Sequence, residues 1–248
     1  MSYNLAFYTC FIGSNENDSF LIPPLPSYKY PCIYFTNNIE ATQYIVGTGW
    51  RFVLLDIPIT NHPIIDCMNC KEIRACPHKY NELKDFDYVC WFDTKLKVDE
   101  EKIETLIGEL EKNNKSIVLS KHPYQFDTVW GEYHEAIKYP RYFFEGHQYH
   151  AYIEEKIKEN GTDKLNVHYC GGFSIRKLKD ERVIKYNEEW YENILKCGIE
   201  DQISLQFVHQ NYTDIILGIE YKACWDYSYD VNVVHQENLS STPQDSSN

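Results

Sequence analysis

The feature that most constrains this chain is a set of short apolar runs that are continuous rather than alternating. Leu5–Ile12, Cys32–Phe35, Arg51–Ile57, Tyr88–Phe92 and Ser116–Leu119 each read as a strand without a solvated face. Such runs are what a strand carries when helices cover both sides of its sheet. Helical segments separate them: Ile39–Val46, and part of Cys67–Leu83 with Pro77 at a boundary or kink. A third, capped by Asp99, runs to Lys112 with Ile103, Leu106, Ile107 and Leu110 on one face. The alternation predicts an α/β fold, a mostly parallel central sheet flanked by helices.

Further along, Thr128–Ile137 and Tyr149–Glu159 read as helices, the second stopped by Asn160-Gly161. Asn166–Arg176 alternates, with Val167, Tyr169, Phe173 and Ile175 on one face and His168, Cys170, Ser174 and Arg176 on the other. Gly171-Gly172 in its middle marks a bulge or a close backbone approach. Arg182–Cys197 is an amphipathic helix with Val183, Asn187, Trp190, Tyr191, Ile194 and Leu195 near one side, and Gly198 lies past its end. A helix opening at Glu200 or Asp201 carries Ile203, Phe207 and Val208, and Asp214–Tyr221 reads as a last strand. From Gln236 the composition turns to Ser, Thr, Pro, Gln and Asn, which predicts a disordered tail over 236–248 after a single domain over 1–235.

At 248 residues the chain is long enough for one sizeable core. A net charge of −13 speaks against broad nucleic-acid binding, which needs a positive field along the phosphates. No apolar run reaches the roughly 18 residues that would span a bilayer. The opening residues lack the basic region and cleavage site of a secretory signal, so the nine cysteines are expected as reduced thiols in a cytoplasmic setting. Neither GxGxxG nor GxxxxGK[ST] is present, which argues against dehydrogenase and P-loop chemistry.

The strand Tyr88–Phe92 breaks off at Asp93, where a carboxylate at a strand exit faces the ligand side of an α/β sheet. Sugar-nucleotide transferases of the GT-A type hold a divalent cation at such a place with an Asp-x-Asp pair, and the cation neutralises the leaving diphosphate. Here Asp93-Thr94-Lys95 has one acid, so either Asp93 binds Mn²⁺ or Mg²⁺ with help from elsewhere, or Lys95 takes part of the metal's role. His235 is a late candidate metal ligand. Lys71, Arg74 and His78 fall three or four apart, a basic cluster suited to a diphosphate. Cys67, Cys70, Cys76 and His78 also have the types, though not the paired spacing, of a structural zinc site. Asp201, ahead of Glu200, is the candidate general base or acceptor-binding acid. Gly171-Gly172 would let a backbone approach a donor sugar closely, and His122, Tyr133, Glu135 and Arg176 are candidates for acceptor or sugar contacts.

Four blocks resemble a family of glycosyltransferase-like proteins that includes plant mucilage-related members, formerly a domain of unknown function. They are Arg74…Pro77-His78 leading to Tyr88-Val-Cys-Trp-Phe-Asp93; His122-Pro123 with Tyr133-His-Glu-Ala136; Gly171-Gly-Phe-Ser-Ile-Arg176; and Trp190-Tyr-Glu192 with Asp201-Gln-Ile-Ser204. The chain departs from that pattern at Thr94, where the family usually has Gly, and at Gln125-Phe-Asp127, where a basic residue usually follows His-Pro. The resemblance implies a GT-A-like nucleotide-diphospho-sugar fold with Asp93 and Asp201 as site residues. The expected ligands are a UDP- or GDP-linked sugar and a glycan, protein or lipid acceptor. Two other readings stand beside it. One is a metal-dependent hydrolase of a glycolipid or amide with His78, His122, Asp93 and His235 as ligands; the other is a non-catalytic nucleotide-sugar or carbohydrate-binding module.

Overall fold

A computed structural model describes residues 3–14, 20–60 and 62–228. The predicted tail, and His235 with it, lies outside the described residues. Strand β1 (Leu5–Phe11) is buried along its whole length, and β2 (Cys32–Thr36) follows it. Helix α1 (Thr42–Ile45), β3 (Arg51–Leu54), α2 (Pro63–Ala75) and β4 (Tyr88–Phe92) complete the first half. The middle of the chain holds β5 (Leu96–Val98), α3 (Glu100–Lys112), β6 (Ile117–Lys121), α4 (Val129–Ala136), α5 (Pro140–Phe143) and α6 (Gly146–Asn160). Then come β7 (Tyr169–Lys177), α7 (Glu181–Cys197), α8 (Asp201–Val208), β8 (Ile216–Ile219) and β9 (Trp225–Tyr227).

The strands form a seven-stranded sheet in the order β3-β2-β1-β4-β7-β6-β8. Within it β3, β2, β1 and β4 run parallel, as do β6 and β8, whereas β7 is antiparallel to both neighbours. The core has two faces. Ile103, Leu106, Ile107 and Leu110 of α3 pack with Cys90, Phe92, Phe173 and Ile175 on one. On the other, Ile73 of α2 packs with Tyr8, Val89 and Trp91, while Val183, Tyr186, Trp190 and Ile194 of α7 pack with Ile117 and Leu119. Asp99 caps α3 as expected, accepting from the Lys102 N–H at 3.2 Å.

Four expectations need correction. β3 is the outer strand and half-open to solvent, because the sheet ends there and nothing pairs with its far side among the described residues. Asp214–Tyr221 contributes β8 but is not the last strand: β9 follows and pairs antiparallel with β5 in a small second sheet. Leu195 points outward, and Tyr186, Asn193 and Cys197 share the inward stripe of α7 instead. Tyr169 does not share a face with Phe173. The register against β6 jumps from Leu119↔Ser174 to Ser120↔Cys170. That irregularity at Gly171-Gly172 reverses the phase, so Tyr169 packs with Ile117 and Leu119 while Phe173 and Ile175 face α3.

Candidate active site

The carboxyl end of β4 sits at the centre of the sheet, and the chain turns sharply there. The Asp93 N–H donates to the Gly172 carbonyl at 2.9 Å, and the Leu96 N–H donates back to the Asp93 carbonyl at 2.9 Å. This four-residue turn folds Lys95 alongside Asp93, with Nζ 3.8 Å from Oδ2. Ser228, just past β9, grips the turn from outside: its N–H and Oγ–H donate to the Lys95 carbonyl at 2.9 and 3.0 Å. An open cavity of about 440 Å³ lies against Thr94 and Ser228, walled by Leu21–Leu25 and Thr48.

Opposite stands a buried charge cluster. Asp201 opens α8, where an acid complements the unpaired N–H groups of the first turn. Its carboxylate meets Lys71 Nζ at 3.0 Å and Arg74 Nη1 at 2.8 Å, and all three side chains are buried. The two cations lie three residues apart on α2, so one helix face delivers both. Burial by itself would push the Asp201 carboxyl up, but Arg74 and Lys71 outweigh it and hold the group below the usual carboxylate range. Arg74 runs past Trp190 and Trp91, its guanidinium carbon 5.4 and 5.8 Å from the two ring centroids.

The glycine pair explains how these groups come so close. A Cβ on Gly171 would stand 2.0 Å from Arg74 Nη2, and one on Gly172 would stand 3.0 Å from Asp93 Oδ2. Successive residues of β7 thus leave room for the guanidinium on one side and the carboxylate on the other. The Gly171 N–H donates to Gln202 Oε1 at 3.1 Å, which ties the strand to α8.

Glu200 is the N-cap of α8 and accepts from the Gln202 N–H at 3.3 Å. Burial, then the nearby Glu132 and Asp201 carboxyls, push it up to about 7, against the pull of Lys71 and Arg141. Glu132 of α4 is itself in contact with His168, Oε2 to Nε2 at 2.7 Å, and both are buried. The His168 Nδ1–H donates to the Tyr124 carbonyl at 2.9 Å, and its ring stacks on His122 at 4.4 Å.

At the ends of β1 and β2 a second polar cluster forms. The Gly13 N–H donates to Asn37 Oδ1 at 2.9 Å and the Gly13 carbonyl accepts from Asn38 Nδ2 at 3.1 Å. Buried Asp66 lies against Gly13 and accepts from Thr60 Oγ1 at 2.7 Å.

The structure therefore gathers Lys71, Arg74, Asp93, Lys95, Gly171, Gly172, Glu200 and Asp201. It does not bring the remaining described candidates to them. Arg176 is buried and donates to the Ala75 carbonyl and Asn187 Oδ1, both at 2.9 Å, so it ties the sheet to α2 and α7. His78 lies against Asn187 and Glu188. Tyr133 packs on Trp130 and His150, and Glu135 pairs with Lys138 at the surface. His122 flanks the Glu132–His168 pair rather than the cation cluster.

The zinc arrangement is not assembled. Cys70 faces Cys10, Cys76 reaches the Asn187 carbonyl, and His78 points toward α7. For the same reason the His78, His122 and Asp93 of the hydrolase reading do not converge. Among the described residues no three His, Cys, Asp or Glu side chains gather as a metal site. Among the described residues the donor set at Asp93 is one carboxylate with an ammonium beside it, which does not fit a divalent cation's preference for several anionic oxygens.

Glu132, His168 and Gln202 were not singled out from the sequence. Glu132 had a signal: it lies at helical spacing between Val129 and Ala136, on the buried side of α4. His168 had none, since its partners are remote in sequence.

Solved enzymes share the fold at low sequence identity. Core-mannan synthase A from Aspergillus fumigatus, solved in an Mn/GDP form, aligns over 91% of this chain and 75% of its own, at 12% identity and a TM-score of 0.50. The fold is GT-A-like. Mouse xyloside xylosyltransferase 1 aligns over 88% of this chain and 84% of its own, at 9% identity and a TM-score of 0.48. A mannosyltransferase of S. cerevisiae solved with GDP aligns over 89% and 70%, at 13% identity and a TM-score of 0.46. No family model matches the chain, and no curated sequence matches it. In this GT-A-like frame, Asp93 occupies the exit of β4 and Asp201 the start of α8.

Proposed function

We propose that this chain is a glycosyltransferase that moves a sugar from a nucleotide-diphospho-sugar to a hydroxyl acceptor. The observation that carries the reading is the buried Lys71–Arg74–Asp201 cluster, set across Gly171-Gly172 from Asp93 at the ligand edge of a GT-A-like sheet. The donor diphosphate lies toward Asp93 and Lys95, the transferred sugar toward Asp201, and the base toward Gly13, Asn37 and Asp66. In the transfer the bond from the anomeric carbon to the diphosphate oxygen breaks, and the nucleoside diphosphate leaves with the electron pair. A bond from the same carbon to the acceptor oxygen forms, and the acceptor proton is released. Asp201 is engaged by two cations and orients the sugar; Glu200, its carboxyl pushed up to about 7, is the better matched in basicity to take that proton. Among the described residues, those around Asp93 do not fit Mn²⁺ or Mg²⁺.

A screen of UDP- and GDP-linked sugars by thermal shift tests the reading. A ligand present at about 100 times its dissociation constant adds about 2.7 kcal/mol. One donor is expected to raise the melting temperature, and Glu200→Gln is expected to keep that shift while losing turnover. Full turnover in Glu200→Gln would remove its role; no shift with any donor would remove the reading. The nine free thiols fit a reducing, cytoplasmic setting.

A further inference from the structure

Resting on the donor site just described, we propose that Lys95 is a built-in substitute for the divalent cation: its ammonium binds the donor diphosphate, and donor binding needs no metal. Three observations converge on this. First, the turn is rigid where it matters. The Leu96 N–H to Asp93 carbonyl bond closes it, the Asp93 N–H anchors it to Gly172, and Ser228 fixes the Lys95 carbonyl twice. The backbone of Lys95 is pinned while its side chain stays half-exposed, with a cavity against the same turn at Thr94 and Ser228. That combination anchors the base of the side chain and leaves its ammonium open to a ligand.

Second, the local charge is already balanced. A metal at this corner needs carboxylate oxygens that nothing else neutralises. Asp93 has Lys95 Nζ at 3.8 Å, and the Arg74 guanidinium, which feels the Asp93 charge, stands on the far side of the glycine pair. A divalent cation at Asp93 would meet the Lys95 ammonium on one side and the buried Arg74 guanidinium on the other. Third, two other acids near the site are engaged elsewhere, Asp201 with Lys71 and Arg74 and Glu132 with His168, and Glu200 caps α8. A diphosphate entering this corner finds cations already in position, and Asp93 orients the Lys95 ammonium between carboxylate and phosphate oxygens. Lysine serves here as a point charge, which suits a phosphate approached from one side.

The experiment is calorimetric titration of UDP and of GDP into the full chain, in EDTA and again in Mn²⁺ or Mg²⁺. One of the two is expected to bind in EDTA with an affinity close to that in metal. Lys95→Ala should weaken that binding by about tenfold or more, the loss of one charge-assisted contact, and Lys95→Arg should retain most of it. The half-exposed side chain allows the alanine variant to keep its melting temperature, which is checked alongside. Binding that requires metal, together with an indifferent Lys95→Ala, would overturn the proposal and leave the glycosyltransferase reading standing. Loss of binding in His235→Ala would then identify the missing metal ligand. Binding in EDTA that Lys95→Ala leaves unchanged would overturn the role of Lys95. Failure of both nucleotides under every condition would remove the donor site itself, and the proposal with it.

Discussion

At the scale of single residues, two adjacent acids at the start of α8 behave in opposite ways. Asp201 meets two cations and is held low, while Glu200 meets burial and other acids and is pushed up to about 7. For Glu200 the sign is that of a raised carboxyl. Below its ordinary value of 4.5 it costs the fold nothing, and as pH rises toward 7 the unfolded state ionises first and stability falls. Glu200→Gln should therefore raise the melting temperature at about pH 8, and the gain should shrink as the pH approaches 5. Equal melting curves at both pH values would show that Glu200 is not held up. The sequence reading ranked Asp201 above Glu200 as the base because residue type and helix position are all that a sequence shows. The neighbours that separate the two, Lys71, Arg74 and Glu132, lie far away in the chain.

At the scale of elements, β7 carries the decisive feature. Gly171→Ala would drive a methyl group into the Arg74 guanidinium, and Gly172→Ala would press on Asp93 less severely. The first should cost about 1–3 kcal/mol and loosen donor binding, and the second should cost less; chemical denaturation of both variants checks the order. The glycine pair was legible in the sequence as a bulge or a close approach, and it proved to be both. Its effect on phase was not legible, because strict alternation placed Tyr169 with Phe173. Helix α3 was legible to the residue, since a local cap and a regular stripe define it. The thiols of α2 were open for the converse reason: their types allowed a shared ligand without the paired spacing, and the helix and the turn after it aim them at different neighbours. Added Zn²⁺ should accordingly leave the melting temperature unchanged, and a stoichiometric Zn²⁺-induced rise would contradict the structure.

At the scale of the whole molecule, the Asp201 cluster joins α2 of the first half of the chain to α8 of the second. Removing its charge strands two buried cations, so Asp201→Asn should cost about 3–5 kcal/mol. Because the folded carboxyl is depressed, its contribution is present above the ordinary value of 3.8 and is lost as the pH falls through the lower folded value. Acid titration followed by tryptophan fluorescence should show a late acid transition in the native chain that Asp201→Asn lacks. The α/β class and the central place of β4 were readable because continuous apolar runs report burial directly. The edge position of β3 and the pairing of β5 with β9 were not, since both depend on which strand lies next to which.

Lys71 and Asp201 are also separated by 130 residues of chain. Closing so long a loop carries an entropic cost that local helices and hairpins do not meet. During synthesis or refolding α2 therefore holds two unpaired cations until the chain has passed Asp201. Nucleotide binding should accordingly be the last property to return after dilution from denaturant, after helical signal and after burial of the tryptophans.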